Sequence, residues 1–286
     1  NGIKGITDHY ANLAKSAVET GNFTDADKYL QRMSAIHHPT LAQMDDIETC
    51  RREAFRLEEL GEIETRANQI KTRFELIWQE NITVSDIITA RLDYEEDQYR
   101  DQLSEIVVRQ IKECQGINKR VVELGCFNGF NLNLVFNKLS PNNFEQVKFI
   151  GIEPNATACR MAQEFYPAIT FVNGDHRDMI DGNPEIPSYV EICIVSGVFM
   201  LLPPSEVKEI LLGLSNKTQV LIICDDILNV DGENLIFRQP FDFIFMHRFR
   251  HLLEHANFEV LSITLADMPS RETTGFIVAR SPKGRN

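Results

Sequence analysis

The sequence has little that would place it in a membrane, outside a cell or on a nucleic acid. Its apolar runs are short, residues 220–224 being among the longest, whereas a helix that crosses a bilayer needs about 20 apolar residues in succession. The first residues lack the basic-then-apolar pattern of a secretory leader. None of the six cysteines, Cys50, Cys114, Cys126, Cys159, Cys193 and Cys224, forms a C-x-x-C pair. Several fall inside predicted strands or helices, so reduced thiols in a cytoplasmic protein are expected, with no disulfide framework and no structural zinc. Positive charge is scarce: 29 Lys and Arg against 42 Asp and Glu leave a net charge of −13. That disfavours nucleic acid as a partner, because such affinity rests on Lys and Arg neutralising phosphates.

What is present is ordinary globular composition, 43% apolar and 25% charged over 286 residues, enough for one large domain or two modest ones. From Thr7 to about Glu113 the chain shows helical periodicity, dense charge and few glycines or prolines, which predicts an α-helical N-terminal region over residues 1–117. Pro39 separates two helices with Thr40 as a cap, Gly21 and Gly61 mark breaks or C-caps, and Asn81-Ile82-Thr83 is another break with Thr83 or Ser85 as N-cap. Residues 21–39 resemble the second half of a tetratricopeptide repeat. A single unit cannot bury a continuous solenoid core, so a helical cap or a homo-oligomerisation region is expected.

After Gln115-Gly116-Ile117-Asn118 the pattern changes, and short β-branched runs alternate with helical stretches. This is the grammar of an α/β domain, assigned to residues 118–286. Strands are predicted over 120–124, 148–153, 170–173, 190–195, 219–224, 259–264 and 275–279. The first five, separated by helical connections and continuously apolar, should be parallel and covered on both faces. The last two have no room for a crossover helix between them and should pair antiparallel.

The chemistry sits at the ends of these strands. Val121-Val122-Glu123-Leu124-Gly125-Cys126-Phe127-Asn128-Gly129 reads as an apolar strand, an acid, a glycine turn, and a helix from Phe130. Ligands of open α/β sheets bind beyond the carboxyl ends of strands, where glycine lets backbone approach closely. The G-x-G-x-x-G that would seat a pyrophosphate is missing there. The second strand ends in Glu153, followed by Pro154-Asn155-Ala156 at a helix start, and an acid in that place accepts both ribose hydroxyls of a nucleoside. The third leads into Asn173-Gly174-Asp175-His176.

Taken in order, Glu123, Gly125, Gly129, Glu153 and Asp175 resemble the first three motifs of class I S-adenosylmethionine-dependent methyltransferases. The resemblance covers roughly residues 120–282. It implies a Rossmann-like seven-stranded, mostly parallel α/β sheet in the order 3-2-1-4-5-7-6, binding S-adenosyl-L-methionine and releasing S-adenosyl-L-homocysteine. It also implies roles: Glu123 acting through water on the methionine amino group, Gly125 and Cys126 offering backbone contacts, Asn128 and Gly129 closing the turn, and Asp175 accepting from the adenine amine. His176 packs beside adenine, offers its backbone N–H, or faces solvent. Ser196 opens a loop, continuing Gly197-Val198-Phe199-Met200-Leu201-Leu202, that in relatives runs beneath the cofactor. One departure is plain, since the middle glycine of the family's E-x-G-x-G-x-G pattern is Phe127 here.

Beyond Gly197 the signals are generic. Asp225 and Asp226 end the fifth strand and serve as a base, orient a substrate, or cap the next turn. Metal-dependent relatives add an aspartate where this chain has Ser196, so no metal is expected. His247, His251 and His255 lie four apart on a predicted helix opposite the stripe Phe249, Leu252, Leu253 and Ala256. They are expected on its solvated flank, with only His247 a catalytic candidate. Arg248 and Arg250 are surface charge or hold an anionic substrate. Tyr94 and Tyr99 either form a lid over the cofactor or pack their helix on the sheet. The resulting expectation is direct in-line methyl transfer to a small molecule, a sugar or secondary metabolite. Its rivals are a protein methyltransferase or partner-binding protein that recruits through the N-terminal helices, a nicotinamide-dependent oxidoreductase, and a catalytically silent cofactor-binding scaffold.

Overall fold

A computed structural model describes residues 82–95, 98–114, 118–139, 147–226, 235–238, 243–247, 249–266 and 274–282. The readings made for residues 1–81, among them the repeat-like segment, Gly21, Pro39 and Gly61, lie outside the described residues, as does Arg248.

The chain enters on α1 (Val84–Glu95) and α2 (Gln98–Glu113). Thr83 starts α1 as the sequence suggests: its Oγ1 accepts the Asp86 N–H at 3.2 Å, and Asp86 Oδ2 accepts the Thr83 N–H at 2.8 Å, a reciprocal cap that satisfies two donors otherwise orphaned at a helix start. Then follow β1 (Lys119–Leu124), α3 (Phe130–Lys138), β2 (Val147–Glu153), α4 (Ala156–Phe165), β3 (Thr170–Asn173), α5 (His176–Asp181), β4 (Val190–Ser196), a 3₁₀ turn (Phe199–Leu201), α6 (Pro204–Leu214) and β5 (Thr218–Asp226). A hairpin of β6 (Leu235–Arg238) and β7 (Phe243–Met246) precedes α7 (Phe249–His255), β8 (Glu259–Leu265) and β9 (Thr274–Arg280).

Seven strands form one sheet in the order β3-β2-β1-β4-β5-β9-β8, and β6 and β7 pair separately. With the hairpin set aside, this is the predicted 3-2-1-4-5-7-6. The first five strands are parallel, and β9 runs antiparallel to both β5 and β8. Alternation along each strand divides the core in two. Val121, Phe149, Ile192, Ile194, Ile222 and Val278 face one side, where Leu103, Val107 and Ile111 of α2 and Leu132 and Val135 of α3 cover them. Val122, Ile150, Cys193, Val195, Ile223 and Ile277 face the other, under Val207, Ile210 and Leu214 of α6 and Leu252 and Leu253 of α7. The inner strands β2, β1, β4, β5 and β9 are buried on both faces, which is why the sequence shows unbroken apolar runs there. Helix α1 packs more peripherally, its buried Ile87 meeting Ala158 and Met161 of α4 and the ring of Phe127.

Two expectations need correction. The β6–β7 hairpin was not foreseen, because two four-residue apolar runs around Gln239-Pro240 carry no clear period. As a consequence His247 stands outside a helix, directly after β7, since α7 begins only at Phe249. Asp225 and Asp226 belong to β5 itself, in register with Gly275 and Thr274 of β9. Among the described residues no helix is long and apolar enough to cross a membrane.

Candidate functional site

The carboxyl ends of β1, β2 and β3 lie side by side, and the loop after β1 folds back over β2. The Gly125 and Cys126 N–H groups both donate to the Ile152 carbonyl, at 2.8 and 3.1 Å, and Gly129 N–H donates to Cys126 O at 2.9 Å. Three residues of this loop have left-handed backbone, Gly125 (φ 66°), Phe127 (φ 48°) and Gly129 (φ 75°). The two glycines are also needed for space. A Cβ on Gly125 would lie 2.5 Å from Val198 Cγ2, and one on Gly129 would lie 2.5 Å from the Phe171 ring. Phe127 occupies the place of the family's middle glycine and accepts a conformation that L-residues rarely adopt. Its ring in return packs against α1 and α4.

Glu153 holds this loop from below. Its Oε2 accepts the Phe127 N–H at 2.8 Å and its Oε1 accepts the Asn155 N–H, also at 2.8 Å. Asn155 in turn caps α4 by accepting the Ala158 N–H. The end of β3 is tied to the same place: Asn173 Nδ2 donates to the Glu153 and Pro154 carbonyls at 2.9 and 3.0 Å, and Gly174 N–H donates to Glu153 O at 3.1 Å.

Glu123 is fully buried. Its Oε1 accepts from Asn131 Nδ2 at 2.7 Å, while Oε2 has no partner among the described residues. Burial pushes its carboxyl up to about 7, against the lowering effects of Asn131 and the Arg100 charge. Asn128 is buried too. Its Oδ1 accepts the Phe130 N–H at 3.2 Å, and its Nδ2 has no partner among the described residues. Cys126 is also buried, its thiol pushed up by that burial and lying against Gly151 of β2.

Asp175 stands at the exposed rim and caps α5, accepting the Arg177 N–H at 2.7 Å while Asp178 accepts its own N–H at 2.9 Å. His176 faces neither solvent alone nor an open cleft: its Nε2 lies 3.3 Å from Glu206 Oε1, joining α5 to α6.

Two of the three catalytic candidates, Asp225 and His247, meet at a second place. Ser196 ends β4, and Gly197 N–H donates to the Cys224 carbonyl at 2.8 Å. The following 3₁₀ turn is pinned from two sides. Asp225 Oδ2 accepts the Met200 N–H at 3.0 Å, and His247 Nε2 lies 2.7 Å from the Phe199 carbonyl, so it donates. His247 is buried, not solvated as expected; that burial pulls its pKa down to about 4, and its ring meets Phe249 edge-on. Asp226 is placed only as the last residue of β5. Val198, between Ser196 and the turn, presses on Gly125. That contact joins the two places.

Sequence reasoning missed Arg100 and Asn131. Arg100 Nη1 donates to Asn131 Oδ1 at 2.6 Å, and both side chains are buried. The signal was there, since Arg100 precedes Leu103 by three positions on the apolar stripe Leu103, Val107, Ile111. Tyr99 is buried with that stripe, in the core and beside Arg100, whose guanidinium lies 4.9 Å from its ring centre.

No family model matches the chain, and no curated protein matches it in sequence. Solved structures do. The 1,6-didemethyltoxoflavin-N1-methyltransferase of Burkholderia thailandensis, with 1,6-didemethyltoxoflavin and S-adenosylhomocysteine bound, is similar over 76% of this chain and 89% of its own, with a TM-score of 0.53 and 11% identity. A SAM-dependent methyltransferase of Leishmania major matches over 73% and 82%, with a TM-score of 0.52 and 11% identity. The magnesium protoporphyrin IX methyltransferase of Synechocystis, with SAM bound, matches over 74% and 96%, with a TM-score of 0.50 and 12% identity. The chain has the class I methyltransferase fold. Within that fold the loop from Gly125 to Gly129, Glu153 and Asp175 occupy the ends of β1, β2 and β3 in turn.

Proposed function

We propose that the protein is an S-adenosylmethionine-dependent methyltransferase acting on a small-molecule acceptor. The observation that carries this is the pair of buried, unpartnered polar atoms beside the glycine loop, Glu123 Oε2 and Asn128 Nδ2. Leaving such groups unsatisfied costs about 1–3 kcal/mol each. A ligand that presents a cationic amine and a carboxylate, as the methionine moiety does, matches an orphaned acceptor and an orphaned donor. Glu153, a buried carboxylate at the end of β2, suits ribose hydroxyls, and Asp175 at the rim suits an exocyclic amine. The residues present therefore fit the cofactor.

Bound there, S-adenosylmethionine supplies a methyl group on a sulfonium, open to displacement by an acceptor nucleophile. The protein's own part is to orient and to exclude water. Asp225 and His247 hold the Phe199–Leu201 turn in place. With His247 neutral and hydrogen-bonded to a carbonyl, we assign it and Asp225 to positioning, which leaves Asp226 as the remaining candidate base.

The acidic charge balance and the 1,6-didemethyltoxoflavin bound by one structural neighbour support a small-molecule acceptor over nucleic acid, a sugar or secondary metabolite in our reading. Five buried free cysteines among the described residues support a reducing, cytoplasmic setting. Self-association through the N-terminal helices completes the proposal, and light scattering on the full chain decides it. The first experiment is calorimetric titration with S-adenosylmethionine and S-adenosylhomocysteine. Micromolar binding that is lost in Glu153→Ala and weakened in Asp175→Ala is expected, and no binding by the parent protein would sink the proposal.

A further inference from the structure

A buried guanidinium is expensive unless its donors are used. Arg100 lies on α2 at 8% exposure, among the apolar residues that cover the sheet. Its Nη1 donates to Asn131 Oδ1 at 2.6 Å, and Asn131 Nδ2 donates to Glu123 Oε1 at 2.7 Å. Arginine has no acceptor. The Asn131 amide must therefore turn its oxygen to Arg100, which leaves only its NH₂ for Glu123. One carboxylate oxygen is thus held and the other left without a partner among the described residues.

We infer that Arg100 and Asn131 are positioning residues, which hold Glu123 as an oriented anion whose second oxygen receives the ammonium group of the cofactor. This rests on the cofactor reading above. It also assigns α2, upstream of the sheet, a share in the binding site: the helix supplies a charge that favours the Glu123 anion against its burial.

The groups that face Glu123 are Arg100 from α2, Asn131 from α3, Glu153 from β2, and the thiols of Cys126 in the loop and Cys193 in β4. Burial and the Glu153 charge favour the neutral acid, whereas Asn131 and Arg100 favour the anion. Removing the Arg100 charge must shift the balance toward the neutral form, whose proton, with Oε1 accepting from Asn131, sits on Oε2 and makes it a donor facing the ammonium.

The test needs no acceptor. Denaturant unfolding of the unliganded full chain is followed from about pH 5 to about pH 9 for the parent, Arg100→Met, Arg100→Lys, and each with Glu123→Gln. The stability difference between each protein and its Glu123→Gln partner isolates the titration of Glu123. In the parent this difference should stop changing near pH 7, and in Arg100→Met it should go on changing for about one further pH unit. Arg100→Lys should restore most of the parent curve. S-adenosylhomocysteine titrations over the same range should show Arg100→Met binding about tenfold weaker near neutral pH and recovering in alkaline buffer. Asn131→Ser reads the same link from α3 should Arg100→Met fail to fold.

A merely structural arginine would lower stability alike at every pH and leave the Glu123→Gln difference unmoved, and that result overturns the inference. A shifted unfolding profile in a protein that never binds S-adenosylhomocysteine would instead overturn the cofactor reading, and with it the ammonium as the target of Glu123.

Discussion

Alanine at Gly125 meets two separable penalties, and the structure supplies a control for each. The first is conformational. Gly125 has φ 66°, and forcing an L-residue into left-handed backbone costs about 1–2 kcal/mol. The second is steric. The new Cβ would lie 2.5 Å from Val198 Cγ2, and since valine is stiff at χ1 the relief must come from backbone, at about 1–3 kcal/mol. Gly125→Ala should therefore cost about 2–5 kcal/mol. Gly197 has φ 67° and nothing within 4 Å of where its Cβ would stand, so Gly197→Ala carries only the first penalty. Denaturant unfolding of Gly125→Ala, Val198→Ala and the double variant closes a cycle. The double variant should regain about 1–3 kcal/mol relative to additivity. A coupling below about 0.5 kcal/mol would show that Val198 does not press on the glycine loop, and would remove that contact between the loop and the turn after β4.

Two buried groups should titrate against each other. Glu123 has its folded pKa raised to about 7, so the stability it confers is complete below about pH 4.5 and is lost as pH rises through 7. His247 has its folded pKa lowered to about 4, so its contribution is complete above about pH 6.5 and is lost as pH falls through 4. In the window between, the slopes oppose. Glu123→Gln should make unfolding free energy rise with pH there and His247→Gln should make it fall; parallel curves for the two variants would refute the assignment. Asp225→Ala should cost about 1–3 kcal/mol by leaving the Met200 N–H unpaired, whereas Asp225→Asn keeps an acceptor and should cost under about 1 kcal/mol, as unfolding curves would show. Phe127→Gly relieves the left-handed strain but removes the ring from between α1 and α4. Hydrogen exchange of the α1 amides should quicken, and unchanged protection would mean that the ring does not hold the helix.

The strand-end acids Glu123 and Glu153 were legible because each closes an apolar run that the sheet buries on both faces. The fold was legible for the same reason: local alternation of apolar runs and helical stretches leaves few ways to cover a parallel sheet. Asp175 was found as a motif residue, but its capping of α5 depends on where the helix starts, which no motif states. The roles of the later residues were not legible. His247 sits four residues before His251 and eight before His255, a spacing that imitates a helix face, yet β7 carries the chain past Met246 and delivers the ring into the core. Asp225 reads as a free carboxylate at a strand end, and becomes the anchor of Met200 only because β4 and β5 are neighbours.

By itself, then, the sequence determined most of the strands and the loop from Gly125 to Gly129, since hydrophobic period and glycine conformation are properties of the local chain, while the strand order followed from the resemblance of the strand-end motifs. Which polar groups end up paired was decided by tertiary structure. Arg100 and Asn131 are 31 positions apart and Glu123 lies between them, and only the packing of α2 and α3 on one face of the sheet brings a guanidinium, an amide and a carboxylate into line. Hydrogen bonds are short-ranged and directional, so their partners are fixed by where the backbone has already been placed.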